Sequence, residues 1–127
     1  MSRDALVLVE YLSHISTAIE RIERYTAAMD QTAFLANELV QDAVIRNFEI
    51  VGEASRNIGR YYPAFAAAHP DVDFSSAYEM RNVLAHGYHQ VEPEIVWKTI
   101  VKSLPPFKRQ IQALTASIAD DNSAAPT

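Results

Sequence analysis

The stretch that decides the fold is residues 33–61, which read AFLANELVQDAVIRNFEIVGEASRNIGRY. Apolar residues recur in it at intervals of three and four, the spacing of one face of an α-helix. They form two neighbouring stripes: Leu35, Leu39, Ala43, Ile50, Ala54 and Ile58, and beside them Val40, Val44, Phe48 and Val51. So wide an apolar surface is typical of a central helix that contacts two or more neighbours, or of a subunit interface.

A first helix is predicted before this stretch, from about Arg3 to Met29. Its one-sided apolar stripe consists of Leu6, Val9, Leu12, Ile15, Ile19, Ile22 and Tyr25. Thr32 is expected to cap the second helix, which spans about 33–61. A loop containing Pro63 and Pro70 then follows, because each proline disfavours helix at the residue before it.

Two more helices are expected after that loop. The third covers roughly 74–86 and is capped by Asp73 or Ser75. The fourth begins at Pro93, is broken or bent at Pro105-Pro106, and continues to about Ala119. No strand alternation of any length occurs in the sequence. The predicted fold is therefore all-α, an antiparallel four-helix bundle with a bent last helix.

Composition favours one globular domain. The chain has 127 residues, 49% of them hydrophobic and 21% charged. We expect residues 1–119 to form a single helical domain and residues 120–127 a disordered tail. The absence of cysteine excludes a disulfide framework and a thiolate metal site. With no signal-peptide pattern and no long apolar run, a cytoplasmic protein is expected.

Charge is spread unevenly along the chain. The net charge is −5, yet residues 81–109 carry +3 and the remaining residues −8. A local basic region on an acidic body suits attraction of phosphate, although a solvated helix face would have the same composition. Lys98 and Lys102 are the weak candidates for RNA contacts in this region.

The side chains with the richest chemistry lie together in residues 80–89, MRNVLAHGYH. Asn82 and His86 are four apart and would share one helix face. Arg81 and His86 are five apart, so on an uninterrupted helix they would point about 140° apart. A curled Arg81 side chain, a helix end near Gly87, or a second copy of the chain would each bring them together.

These residues resemble a known signature. Arg81-Asn82, followed by His86 and Tyr88, is similar to the motif of HEPN-superfamily ribonucleases, specifically the HepT-like toxins of bacterial toxin–antitoxin pairs. Residues 42–54 resemble the second helix of that family, and the run from 91 to 105 resembles its last helix. One departure is Asp73-Phe74-Ser75-Ser76, where many relatives have a tryptophan-containing turn. The resemblance covers roughly residues 4–115 and implies a HEPN-like fold.

The residue types themselves suit RNA cleavage without a metal. RNA supplies its own nucleophile, the ribose 2′-hydroxyl, and the reaction needs a base, an acid and a cation. His86 titrates near neutrality and suits proton transfer. Arg81 keeps its charge and matches phosphate oxygens, while Asn82 is placed to orient either group. We therefore predict that Arg81, His86 and Asn82 are catalytic residues.

The resemblance also implies partners. It implies a metal-independent endoribonuclease toxin of a type VII-like system, without a cofactor, in which two motifs of a homodimer line one cleft. Its antitoxin would be an MntA-like nucleotidyltransferase that AMPylates the motif tyrosine, here Tyr88. From the residues alone, Tyr88 is more simply a tyrosine packed at a helix end.

Other interpretations of the same residues remain open. His86 and His89 could hold a metal with Glu92, but the ligand set is incomplete, and His89 is more simply an RNA-facing or exposed residue. Glu49 and Glu53 could act as acid and base, or form an interface network. A different class of function is a non-catalytic helical module that binds a nucleotidyltransferase partner or its nucleotide.

Overall fold

The computed structural model describes residues 3–85 and 92–124, and within these ranges the backbone is helical apart from short connections. No strand occurs in either range, which confirms the predicted all-α class. The elements are α1 (Arg3–Thr26), α2 (Gln31–Leu35), α3 (Glu38–Tyr61), α4 (Pro63–Ala68), α5 (Phe74–Ala85), α6 (Pro93–Lys98), a π-helical turn (Thr99–Ser103) and α7 (Leu104–Ala124).

The core lies between the two longest helices, α1 and α3. The stripe predicted on α1 is buried from its second turn onwards, at Leu12, Ile15, Ile19 and Ile22. Its beginning was predicted wrongly, since Leu8 is buried and Leu6 is exposed. Both helices are amphipathic, and no helix among the described residues is long and apolar enough to cross a membrane.

Helix α3 is the central element that its wide apolar surface predicted. It packs against α1 on one side and α5 on another, and it also contacts α2, α4 and α6. Val44, Phe48 and Ile58 are buried in these contacts, whereas Leu39 is exposed. Because α3 contacts α1 and α5 at once, it fixes the position of α5 relative to the core.

The prediction of one continuous helix over 33–61 was wrong. The chain is interrupted after Leu35, and a new helix begins where Asn37 accepts a hydrogen bond from the Val40 amide at 3.0 Å. Gln41 closes the corner by donating to the backbone carbonyls of Phe34 and Leu35. The cap of α2 is Asp30, not Thr32, because its carboxylate accepts from the Ala33 amide at 2.8 Å.

The loop predicted around the prolines contains a helix of its own. Helix α4 begins directly at Pro63, whose ring fixes a helical φ at a position that needs no amide donor. It packs against α3 and brings the chain back towards the start of α5. The prediction that this segment lacks helix was therefore wrong.

The last part of the chain begins, as predicted, with Pro93 in the first turn of α6. Pro105-Pro106 do not break the helix: they lie in the first turn of α7, directly after the π-helical turn. α7 ends at Ala124, later than the predicted Ala119. The division into a domain at 1–119 and a tail at 120–127, and the bundle geometry with a bent last helix, stay predictions.

Candidate functional site

The helix that carries the first half of the motif starts at a strong cap. Asp73 accepts hydrogen bonds from the Ser76 amide at 2.8 Å and from the Ser76 hydroxyl at 2.6 Å. These bonds stabilise the carboxylate and lower the pKa of Asp73 below its usual value. The predicted capping role of Asp73 is confirmed, and it sets the register in which α5 presents its residues.

The backbones of Arg81 and Asn82 lie in the last turns of α5, which ends at Ala85 and packs along α3. The predicted helical placement of these two residues is thus confirmed for their backbones. His86, Tyr88 and His89 lie outside the described residues, as does the proposed metal pairing of the two histidines. Convergence of Arg81 and His86 on one phosphate remains a prediction.

Two polar residues of α3, Arg46 and Asn47, bond to neighbours in the same helix. Arg46 approaches Glu49 at 3.5 Å, with their side chains 70% and 33% exposed, so the pair is weak. Asn47 is buried and donates to the backbone carbonyl of Ala43 at 2.9 Å, a bond within its own helix.

The basic residues of the carboxyl-terminal half differ in how available they are. Lys98 and Lys102, the predicted RNA contacts, are both exposed at the junction of α6 and the π-helical turn. Lys108 instead forms an ion pair with Glu23 of α1 at 2.8 Å. Of the three lysines in residues 81–109, Lys98 and Lys102 are therefore available to a ligand, whereas Lys108 is held in an ion pair.

The histidines outside the motif have structural surroundings. His14 is exposed and meets the ring of Tyr11 edge-on, with centroids 6.4 Å apart. His69 packs on Phe65, with centroids 4.7 Å apart. In the described part of the chain, no three histidine, aspartate or glutamate side chains cluster closely enough to hold a metal ion.

A cleft that sequence reasoning missed lies beside α5. It has a volume of about 630 Å³ and is bounded by α3, α4 and the first turns of α5. Arg56 of α3 lies over the ring of Tyr78 of α5, with the guanidinium carbon 5.6 Å from the ring centroid. One feature of the sequence could have indicated this cleft: Tyr78 lies one helical turn before Arg81.

One protein family matches this chain over most of its length. The family model described as "Ribonuclease HepT-like" matches residues 15–114, a range that contains the whole of α5 and the motif that follows it. The chain belongs to the HepT-like ribonuclease family. This confirms the resemblance drawn from Arg81, His86 and Tyr88.

Curated relatives support the HepT-like assignment. One is a "Probable ribonuclease HepT" of Thermococcus cleftensis, 37% identical over 83% of this chain and 93% of the relative. Another, from Methanocaldococcus jannaschii, is named as both a γ-glutamylcyclotransferase and a candidate RNase; it is 35% identical over 80% of this chain but only 44% of its own length. A comparison with solved structures gave no significant match.

Proposed function

We propose that this HepT-like protein is a metal-independent endoribonuclease, the toxin of a type VII-like toxin–antitoxin pair. The observation that carries the proposal is the family match over residues 15–114, with Arg81 and Asn82 on the last turns of α5 inside it. A relative that matches this chain over 93% of its own length is itself named a probable ribonuclease. Lys98 and Lys102 follow the motif in the sequence and are exposed, so they can offer positive charge to an RNA backbone.

In the proposed reaction His86 removes the proton of a ribose 2′-hydroxyl, and the 2′ oxygen attacks the adjacent phosphorus. The bond from phosphorus to the 5′ oxygen then breaks, and that oxygen takes up a proton from an imidazolium. The products are a 2′,3′-cyclic phosphate and a 5′-hydroxyl. Arg81 stabilises the charge that builds on the phosphate, and Asn82 orients His86 or the phosphate.

A homodimer is part of the proposal. Because Arg81 and His86 are five residues apart, one continuous helix would direct them to different sides. Two copies that place their motifs at a shared cleft supply arginine and imidazole from both chains. One imidazole then serves as base while the other serves as acid, with His89 as a further contact to RNA.

Silencing is proposed to occur at Tyr88. An MntA-like nucleotidyltransferase antitoxin would attach AMP to its hydroxyl, which adds a phosphate and an adenine two residues from His86. The added phosphate would compete with RNA for the charge of Arg81, and the added bulk would block the substrate.

The test is incubation of purified protein with a mixed RNA in excess chelator. We expect cleavage by the wild type, and losses of about 10²–10⁴-fold for His86→Ala and 10²–10³-fold for Arg81→Ala. Matched controls are His14→Ala and Arg24→Ala, which remove an exposed imidazole and an exposed guanidinium from α1. Both controls should cleave at the wild-type rate.

Undiminished cleavage by the Arg81 and His86 variants would overturn the assignment of these residues. Absence of cleavage by the wild type, together with a stable complex with a nucleotidyltransferase, would favour the non-catalytic binding module instead.

A further inference from the structure

The cleft beside α5 has features of a binding site and not only of a gap in packing. Its volume of about 630 Å³ falls within the range of about 300–1,000 Å³ typical of small-molecule sites. Its walls are α3, α4, the first turns of α5 and the connection before α5, which includes the Asp73 carboxylate, and Gly59 of α3 contributes no side chain. A Cβ built at Gly59 would meet no atom within 4 Å, so the cleft is open at this position.

Ser55 is a buried polar group on the lining of this cleft. Its side chain is 1% exposed, and no hydrogen-bond partner for Oγ lies among the described residues. A serine inside a helix commonly donates to the carbonyl four residues earlier, but Ser55 makes no such bond. A buried hydroxyl without a partner costs free energy, and a polar group of a ligand in the cleft would remove that cost.

Arg56 and Tyr78 give the cleft its chemical character. The guanidinium lies over the tyrosine ring at 5.6 Å, and both residues line the cleft. A flat cation beside an aromatic ring suits a ligand that is itself flat and carries a phosphate. A nucleotide has both properties: its base stacks on aromatic or guanidinium planes, and its phosphate pairs with arginine.

The position of the cleft connects it with the proposed chemistry. Tyr78 is three residues before Arg81 and four before Asn82 in α5, so these backbone positions follow one another on one side of the helix. Three residues of helix rise about 4.5 Å, so the backbones of Tyr78 and Arg81 lie within one helical turn of each other. A strand whose phosphate lies at Arg81 would place an adjacent nucleotide at Tyr78.

We propose that the cleft formed by Ser55, Arg56, Gly59 and Tyr78 binds one nucleotide of a single-stranded RNA next to the cleaved phosphodiester. This inference rests on the proposed ribonuclease function and names the substrate class that the site takes. Tyr78 stacks on the base, Arg56 pairs with the phosphate, and the Ser55 hydroxyl bonds to the base edge or the ribose. Free AMP carries the same chemistry, so the test has an arm for each source.

The experiment measures binding of a fluorescent 2′-O-methyl RNA strand, which lacks the attacking hydroxyl and stays intact. Gly59→Leu fills the cleft, and Tyr78→Leu removes the stacking ring. The control is Tyr25→Leu, which removes a ring that lies beneath Arg24 at 5.6 Å, on a different helix. Circular dichroism melting of each variant confirms that it is folded.

The expected result is a loss of affinity for the strand of about 5- to 100-fold in Gly59→Leu and Tyr78→Leu. The control, Tyr25→Leu, should stay within about twofold of the wild type, because it removes no contact from the cleft. Equal affinity in all folded variants would overturn the proposal. So would AMP binding that Gly59→Leu abolishes while strand binding is unchanged, because the cleft would then take a free nucleotide.

Cleavage of ordinary RNA by the same variants separates this inference from the function it rests on. If the wild type cleaves RNA and Gly59→Leu retains its kcat/KM, the cleft assignment fails and the ribonuclease stands. If the wild type cleaves nothing while Gly59→Leu still loses strand affinity, the ribonuclease fails and the nucleotide site stands.

Discussion

Asp73 shows how one side chain determines where functional residues are placed. Its carboxylate holds the Ser76 amide at 2.8 Å, which fixes the first turn of α5. Because helical register runs unbroken from that turn to Ala85, the cap also fixes the angular positions of Tyr78, Arg81 and Asn82. This is a local effect, and residue type and position alone narrowed the cap to Asp73 or Ser75; the hydrogen bonds to Ser76 identify it as Asp73.

The lowered pKa of Asp73 predicts a pH-dependent stability. The folded-state pKa lies below the ordinary value of 3.8, so the carboxylate stabilises the fold above that pH, and its contribution is lost as pH falls through the folded pKa. Asp73→Asn keeps an acceptor for the Ser76 amide but not the charge. Urea unfolding at pH 7 should find the variant less stable by about 0.3–1 kcal/mol.

That difference should shrink when the titration is repeated at acid pH, below 3.8, as the pH falls through the folded-state pKa of Asp73. Asp71→Asn, which changes an exposed carboxylate in the same connection, should show no such dependence. A constant difference between Asp73→Asn and the wild type at both pH values would contradict the interpretation.

At the scale of elements, periodicity predicted which segments are helical but not where they are interrupted. The spacing of apolar residues in 33–61 continues across Ala36 and Asn37, so it gave no sign of the break. The break results from hydrogen bonds that compete with helix: the Asn37 cap and the Gln41 side chain, which reaches back to Phe34. These bonds are local and come from polar side chains, whereas periodicity records only the spacing of the apolar residues.

The short helix α2 is held by packing, and this gives a second prediction. Phe34 is fully buried and lies 5.3 Å from the ring of Trp97, measured between centroids, so it joins α2 to α6. Phe34→Ala should lower the free energy of unfolding by about 3–5 kcal/mol, measured by urea titration. Leu39→Ala, at a side chain 80% exposed, should change it by less than about 0.5 kcal/mol. A loss below about 1 kcal/mol for Phe34→Ala would show that α2 is not part of the cooperative core.

For the candidate site, the sequence predicted which residues lie together on one helix, but not which residues meet between two helices. Arg81 and Asn82 are near each other in sequence, so their placement on one helix followed from local pattern. Arg56 and Tyr78 lie on different helices, and their contact depends on how α3 packs against α5. No spacing rule relates residues on two helices, which is why the cleft became visible only in the structure.

For the whole molecule, the account predicts a homodimer. Among the described residues, large apolar side chains left exposed include Leu6, Leu39, Tyr61, Ile95 and Val101. Single exposed apolar side chains are normal on a monomer, so the homodimer is inferred from the five-residue spacing of Arg81 and His86, which one continuous helix would direct to different sides. Sedimentation equilibrium of the full chain at micromolar concentration should give about twice the monomer mass of 14.2 kDa. A monomer at every concentration would remove the shared cleft from the proposal.

The central claim is that Arg81 and His86 act together on one phosphodiester. It is tested most directly by single-turnover cleavage of one defined RNA in chelator by the wild type, Arg81→Ala, His86→Ala and the double variant. Groups that act as a unit are strongly non-additive, so we predict a large loss in each single variant and little further loss in the double variant. A wild-type rate in either single variant would contradict the claim.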